Sequence, residues 1–576
     1  VKIKPTLRVF FTFLLLGVVV FAQEAPLQDK PAAANPPERQ IGGLHFLDVS
    51  EVTVVNVGVT VNDKKGPVLD LKREDFEVFQ DGKPQPITNF ALYTRTGPPQ
   101  AVAAALPSPA VAPATPTAAP LEEAKREPRF VAFYVDNENV LAINRNRVIG
   151  KMADWVYDNL KPPDQAMVVS YQRSLKVLQP FTSDPDEIAT ALRTTKTFTG
   201  GASDVASSRQ QIEDYIEQNA SNASTLTQAT ARARGFAREQ YNNLTFTLSA
   251  IKELIGMMSG LPGKKAIIYL SDGLPMSPGL ELYYEIQDSY SNAAVLAESR
   301  DNDASRLFQS LVIAATSAGV TLYPIDSAGL HSDIGFEAER SKPRSPVSGA
   351  MMTSNYQDSL TYMAEQTGGL AVLNANDPTS GLNKIADDFE TFYSLGYPLT
   401  PSGQDRMHRI EVKVKGHPEY RLIYRKTFIE KTLPNLIADR VMSGLAFDLD
   451  DNPLGVQVST GEPAPAENER WTLPVEVRVP FEKVALVPDG DNLVGYVMVY
   501  YAARDEEGKQ SELQRTEHAI SIPASQYEKT RRDSFTVTSS LLLDPGTYRI
   551  SIGVRDELTN QAGYALARKT VHPETK

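Results

Sequence analysis

Three short apolar runs, each closing on an acid, constrain this chain more than any other feature. Phe130–Val135 runs into Asp136, Ala266–Leu270 into Ser271-Asp272-Gly273, and Val320–Ile325 into Asp326. A strand covered on both faces reads as an unbroken apolar run, and parallel sheets inside α/β domains are built from such strands. Helical patterns separate the runs. Ile149, Met152, Ala153, Val156 and Leu160 fall on one face of a helix predicted over 144–160, which stops before Pro162-Pro163. The alternation predicts right-handed crossovers and a doubly wound, mostly parallel sheet. Ligands of such sheets sit beyond the carboxyl ends of the strands, where the strand order reverses. Asp136 and Asp272 then face one crevice, with Glu138 and Asn139 beside them and a hydroxyl from Thr197–Ser203 within reach. An all-oxygen set of this kind suits Mg²⁺ or Ca²⁺. The bland reading stands beside it: Asp136 is also a good helix cap, and Asp326 an ordinary strand-end polar residue.

The rest of the chain sets these runs among other modules. Its 576 residues exceed one core. Lys2, Lys4 and Arg8 precede the apolar block Val9–Phe21, the pattern of a signal peptide over residues 1–22, cut between Ala22 and Gln23. A retained anchor is the alternative, though the block is short for a span of about 20 residues. Residues 23–47 read as a flexible leader, and residues 48–96 as a small β module with a turn at Asp81-Gly82. Residues 97–125 are a Pro/Ala-rich linker. The α/β unit is expected over 126–430, with helical insertions near 204–260 and 274–302. Period-2 strands over 440–576 predict an immunoglobulin-like β-sandwich.

Charge and composition narrow the partners. Acids outnumber bases 71 to 58, a net charge of −13, which disfavours nucleic acid and anionic membrane surfaces. The chain has no Cys, so it has no disulfides, thiolate metal sites or Cys nucleophile. An exported, periplasmic or secreted protein of bacterial type is expected, with no membrane span after signal cleavage. The six histidines are scattered, without the H-E-x-x-H spacing of a zinc site, and no G-x-S-x-G elbow occurs.

The segments KREDFEVFQDGKPQPITNF, KKAIIYLSDGLP and FYSLGY…HRIEVKVK…YRLIYRK carry a resemblance to von Willebrand factor type A (VWA) domains. The likeness is nearer to the exported bacterial "VWFA-related" proteins and spans roughly Val49–Phe428. It implies a Rossmann-like sheet and a metal-ion-dependent adhesion site built from D-x-S-x-S, a loop Thr and an Asp-Gly. Carried onto this chain, it makes Asp136, Glu138, Thr199 and Asp272 the metal ligands, with Ser203 as second choice for the loop hydroxyl. Glu138 and Val140 stand where the two serines belong, so the motif is degenerate. Glu138 adds a charge that weakens a cation's pull on an acidic partner, and Val140 cannot coordinate. Two readings stay open: a cation site, or a VWA scaffold with a decayed one. The expected function is non-enzymatic protein–protein interaction, with a structural envelope or extracellular-assembly component and a metal-dependent hydrolase as alternatives.

Overall fold

The computed structural model describes residues 38–41, 44–47, 53–94, 97–101, 128–220, 222–330, 346–448 and 451–571. The expected signal segment, most of the leader and residues 102–125 of the expected linker lie outside the described residues.

At the centre is a five-stranded sheet. Its order is Ser174–Thr182, Gln165–Gln172, Arg129–Asp136, Lys264–Ser271, Val320–Asp326. The first strand is antiparallel to its neighbour and the other four are parallel. Val372 extends the sheet beyond Ile325 by a single parallel bridge. Alternate residues of the central strand feed two separate cores, which is why the run is apolar throughout. Phe130, Ala132 and Tyr134 pack with Leu248, Leu254, Phe308 and Leu360 from the helices Leu226–Met258, Ser305–Ala318 and Pro346–Thr367. Phe133 and Val135 pack with Ile149, Met152, Ile188 and Leu382 from Ala142–Asn159, Pro185–Thr194 and Thr379–Glu390. Each fully buried Val, Leu, Ile, Phe or Met among them contributes about 1.5–3 kcal/mol. The chain crosses from one side of this strand to the other, so its carboxyl end is the switch point.

The expected insertions meet in a satellite core. Ile216, Phe236, Leu282, Tyr283 and Ile286 join Ala202–Asn219, the first half of Leu226–Met258, and Leu280–Tyr290. The second half of that 33-residue helix covers the main sheet.

The strand pairing corrects the boundaries of residues 48–96, 97–125 and 126–430. Phe392–Leu399 does not join the parallel sheet. It lies between Thr53–Asn62 and Asn89–Thr94, antiparallel to both. Arg406–Val414 pairs with Phe76–Gln80 and with Thr427–Glu430. The N-terminal module is therefore completed by residues 392–430, and the α/β unit ends with the helix at Glu390. Its far end differs too, since Gly97–Ala101 is a strand paired with Asn89–Thr94 rather than linker. The reason is legible in burial. Tyr393, Leu395, Tyr397 and Leu399 are buried in alternation, the signature of a strand with one core face. They close a core with Val57, Val59, Phe76, Val78, Ile410 and Val412 from the two facing sheets.

The start of the last unit also shifts. Residue 440 falls inside a helix, Leu433–Gly444, whose Ile437, Val441 and following Leu445 pack on Tyr500, Ala502 and Tyr564. Beyond it two antiparallel sheets enclose a core that includes Leu473, Val475, Val477, Val497, Val499, Ile550 and Ile552. No helix among the described residues is long and apolar enough to cross a membrane.

Leu395→Ala is expected to cost about 2–5 kcal/mol, the usual range for a fully buried Leu. Amide exchange should then quicken in Thr53–Asn62, more than 300 residues earlier in sequence. An effect confined to 129–390 would contradict the shared core.

Candidate functional site at the carboxyl ends of the parallel strands

The two expected carboxylates do reach one end of neighbouring strands, since Arg129–Asp136 and Lys264–Ser271 pair in parallel register. The backbone N–H of Asp272 donates to the carbonyl of Asn139 at 2.9 Å, so the two loops touch. There each carboxylate is held by protein donors.

Asp136 is fully buried. Its Oδ1 accepts from the backbone N–H groups of Glu138 and Asn139, both at 3.1 Å. Its Oδ2 accepts from Asn139 Nδ2 at 3.0 Å and from the Tyr269 hydroxyl at 2.5 Å. A carboxylate offers about four lone-pair sites, and protein donors fill four. Asn139 Nδ2 also donates to Thr247 Oγ1 at 3.1 Å, tying the long helix Leu226–Met258 to the same loop. Burial pushes the Asp136 carboxyl up to about 6, against the opposing pull of the Tyr269 and Asn139 donors.

Asp272 is held in a similar way. Its Oδ2 accepts from the Leu141 N–H at 2.7 Å and from Asn144 Nδ2 at 3.0 Å, and its Oδ1 from Ser327 Oγ at 2.6 Å. Burial raises its pKa, with the Ser327, Leu141 and Asn144 donors opposing. Asp326 Oδ1 accepts from the Ala328 N–H at 3.0 Å, and its Oδ2 from Gln357 Nε2 at 2.9 Å.

The other two expected ligands turn elsewhere. Glu138 lies 3.8 Å from the exposed Arg173. Thr199 is exposed, and its Oγ1 accepts from Gln172 Nε2 at 3.2 Å. Ser203, the second choice, donates to the carbonyl of Gly200 at 3.3 Å. Val140, at the position of the second serine, is fully buried. Gly201 donates from its N–H to the carbonyl of Asn137 at 2.7 Å, and a Cβ on it would stand 2.8 Å from the carbonyl oxygen of Glu138. The first and second loops are thus packed backbone against backbone. Among the described residues no three His, Asp or Glu side chains converge to hold a metal ion. A cation drawing on Asp136 would have to displace one of its four donors.

Sequence reasoning missed three residues that organise this end of the sheet. Tyr269 hides inside an apolar strand, and only its place on the strand next to the one ending in Asp136 signals its role. Arg145 is fully buried on the first helix. Its Nη1 donates to Asn137 Oδ1 at 2.7 Å and its Nη2 to the carbonyls of Phe198 and Lys196 at 2.8 and 3.2 Å, clamping the second loop to the first. Ser327 couples the third strand end to Asp272.

No family model matches the chain, and no curated protein matches it in sequence. Weak structural neighbours include a VWA protein. It is "von Willebrand factor type A from Catenulispora acidiphila", with 10% identity over 78% of this chain and 67% of that one and a TM-score of 0.19. An aerotolerance-related membrane protein from Bacteroides fragilis shows 14% identity over 45% of this chain and 98% of its own, with a TM-score of 0.21. BatB from Bacteroides thetaiotaomicron shows 13% identity over 46% and 96%, also at 0.21. The fold rests on the strand order and pairing described above.

The buried carboxylate makes a pH signature. The folded pKa of Asp136, about 6, lies above the ordinary 3.8. The folded state therefore holds its proton more tightly, and this contribution to stability is full below pH 3.8 and lost as pH rises through 6. The loss is on the order of 3 kcal/mol. Urea unfolding of wild type and Asp136→Asn from pH 4 to 7 is expected to show the difference between them changing by that order. Parallel profiles would contradict a buried, raised Asp136.

Proposed function

We propose that this chain is an exported, non-enzymatic protein-interaction scaffold whose α/β unit is VWA-like and whose metal site is degenerate. The observation that carries the reading is the saturation of Asp136 by four protein donors, with a buried Val140 where a second serine would coordinate. The N-terminal basic and apolar segment supports export to the periplasm or beyond. The last unit, two antiparallel sheets around one core, is read as immunoglobulin-like. A hydrolase reading lacks support, because Asp136 is sealed from solvent and serves as an acceptor for its neighbours.

A protein partner suits the face around the strand ends. Ile143 is 78% exposed, Phe246 66% and Leu330 57%. They stand on three separate segments next to Asn144, Thr247 and the loop after Asp326, whose partners were described above. Large exposed apolar side chains on these segments favour an apolar contact over capture of a partner's acid by a cation.

The reading is tested by thermal unfolding and by cross-linking in the native envelope. Mg²⁺ or Ca²⁺ against EDTA is expected to leave the Tm unchanged. A site loaded at a hundred times its Kd would add about 2.7 kcal/mol. An Ile143→Asp/Leu330→Asp double variant is expected to cut cross-linking to the partner by about tenfold or more, and EDTA to change nothing. Metal-dependent capture, or capture indifferent to the double variant, would overturn the proposal.

A further inference from the structure

Ser534–Leu543, SFTVTSSLLL, is an edge strand of the last unit. It pairs along its whole length with Trp471–Pro480, antiparallel and without a register shift. Its other edge pairs with no strand among the described residues. Such an edge carries a row of unused N–H and C=O groups, a template for another chain, and proteins usually blunt it with charge, Pro, bulges or shortness. The other long edges here are blunted. Gln514–Pro523 carries Arg515, Glu517 and Pro523, and Ala562–Val571 carries Arg568 and Lys569. Ser174–Thr182 carries Lys176 and Pro180 and two register shifts. Ser534–Leu543 has no charge, no Pro and no bulge over ten residues.

We propose that this edge pairs with the same strand of a second copy, antiparallel about Thr538, to make a two-fold dimer through a continuous sheet. The sequence is complementary to itself in that register. With Thr538 opposite Thr538, Phe535 faces Leu541 and Val537 faces Ser539 on the core side. Thr536 faces Ser540 on the exposed side, where Ser and Thr pair well across strands. Just outside the strand, Arg532 of each copy comes opposite Asp544 of the other, so the two ends carry opposite charges. Asp544 lies 3.5 Å from Lys509 of its own chain and is 59% exposed, open to a second cation. The chain's net charge of −13 makes copies repel, and this uncharged strip is where two can approach. A single edge contact is small beside the roughly 1,200–2,000 Å² of a stable dimer, so the association is weak and concentration-dependent. It uses none of the loops of the α/β unit and does not depend on the function proposed above.

Thr538 is exposed, so charge there is tolerated by the single copy. Sedimentation of the full chain over a concentration series into the high micromolar range is expected to show a monomer–dimer equilibrium. Thr538→Lys and Thr538→Glu, each placing like charges opposite one another, are expected to raise the dimer Kd by about fivefold or more. An equimolar mixture of the two should recover dimer, which a folding defect would not allow. A monomeric wild type at every concentration overturns the proposal, whether or not another protein's strand takes the edge. So does a dimer indifferent to both substitutions, or variants that fail to rescue one another.

Discussion

The interaction on which the rest of the α/β unit depends is the set of hydrogen bonds that fills Asp136. The acid ends the central strand, and its donors come from its own loop and from Tyr269 on the next strand. Asn139 carries the tie onward to the helix Leu226–Met258. A carboxylate without solvent survives only with its acceptors satisfied, and the low dielectric that makes it costly also strengthens these bonds. The same economy runs along the strand ends to Asp272, held by Leu141, Asn144 and Ser327. The crevice expected at the switch point is thus closed by neutral donors. These bonds tie the loops after the three strands to one another.

A second constraint lies at the other end of the sheet. The α/β unit is held between Gly97–Ala101 and Phe392–Leu399, which flank the same strand, Asn89–Thr94. Asp388, near the end of the last helix, is the joint. Its Oδ1 accepts from Thr60 Oγ1 of the β unit at 2.7 Å, and its Oδ2 accepts from the Tyr323 hydroxyl of the parallel sheet. Lys264, at the start of a parallel strand, holds its Nζ 3.0 Å from the centre of the Phe392 ring. Burial lowers its pKa to about 7, with Asp388 pulling the other way and Arg129 adding to the fall. Separating the two units would expose apolar and charged groups together, so they are built to stay joined.

The parallel sheet was legible in the sequence because its strands must be apolar on both faces. Phe130–Val135, Ala266–Leu270 and Val320–Ile325 can hardly be anything else, and the adjacency of Asp136 and Asp272 follows from the switch-point rule. What misled was adjacency along the chain. Phe392–Leu399 follows a helix as a parallel strand would, and only the alternation of Tyr393, Leu395, Tyr397 and Leu399 marks it as a one-sided strand belonging to residues 53–101. At the site, the departures at Glu138 and Val140 could be read directly. The network around Asp136 could not, because Tyr269 and Arg145 lie inside an apolar strand and on a helix, and their roles depend on side-chain contacts across elements. Residue type announces a carboxylate; it does not announce who satisfies it.

The central claim is that protein donors, not a cation, satisfy Asp136. Its most direct test is a crystal structure of the full chain grown with excess Mn²⁺ and read by anomalous scattering. The account expects no manganese within bonding distance of Asp136 or Asp272, and the Tyr269 hydroxyl still on Asp136 Oδ2. A manganese ion bound to either carboxylate, with Tyr269 displaced, would contradict it.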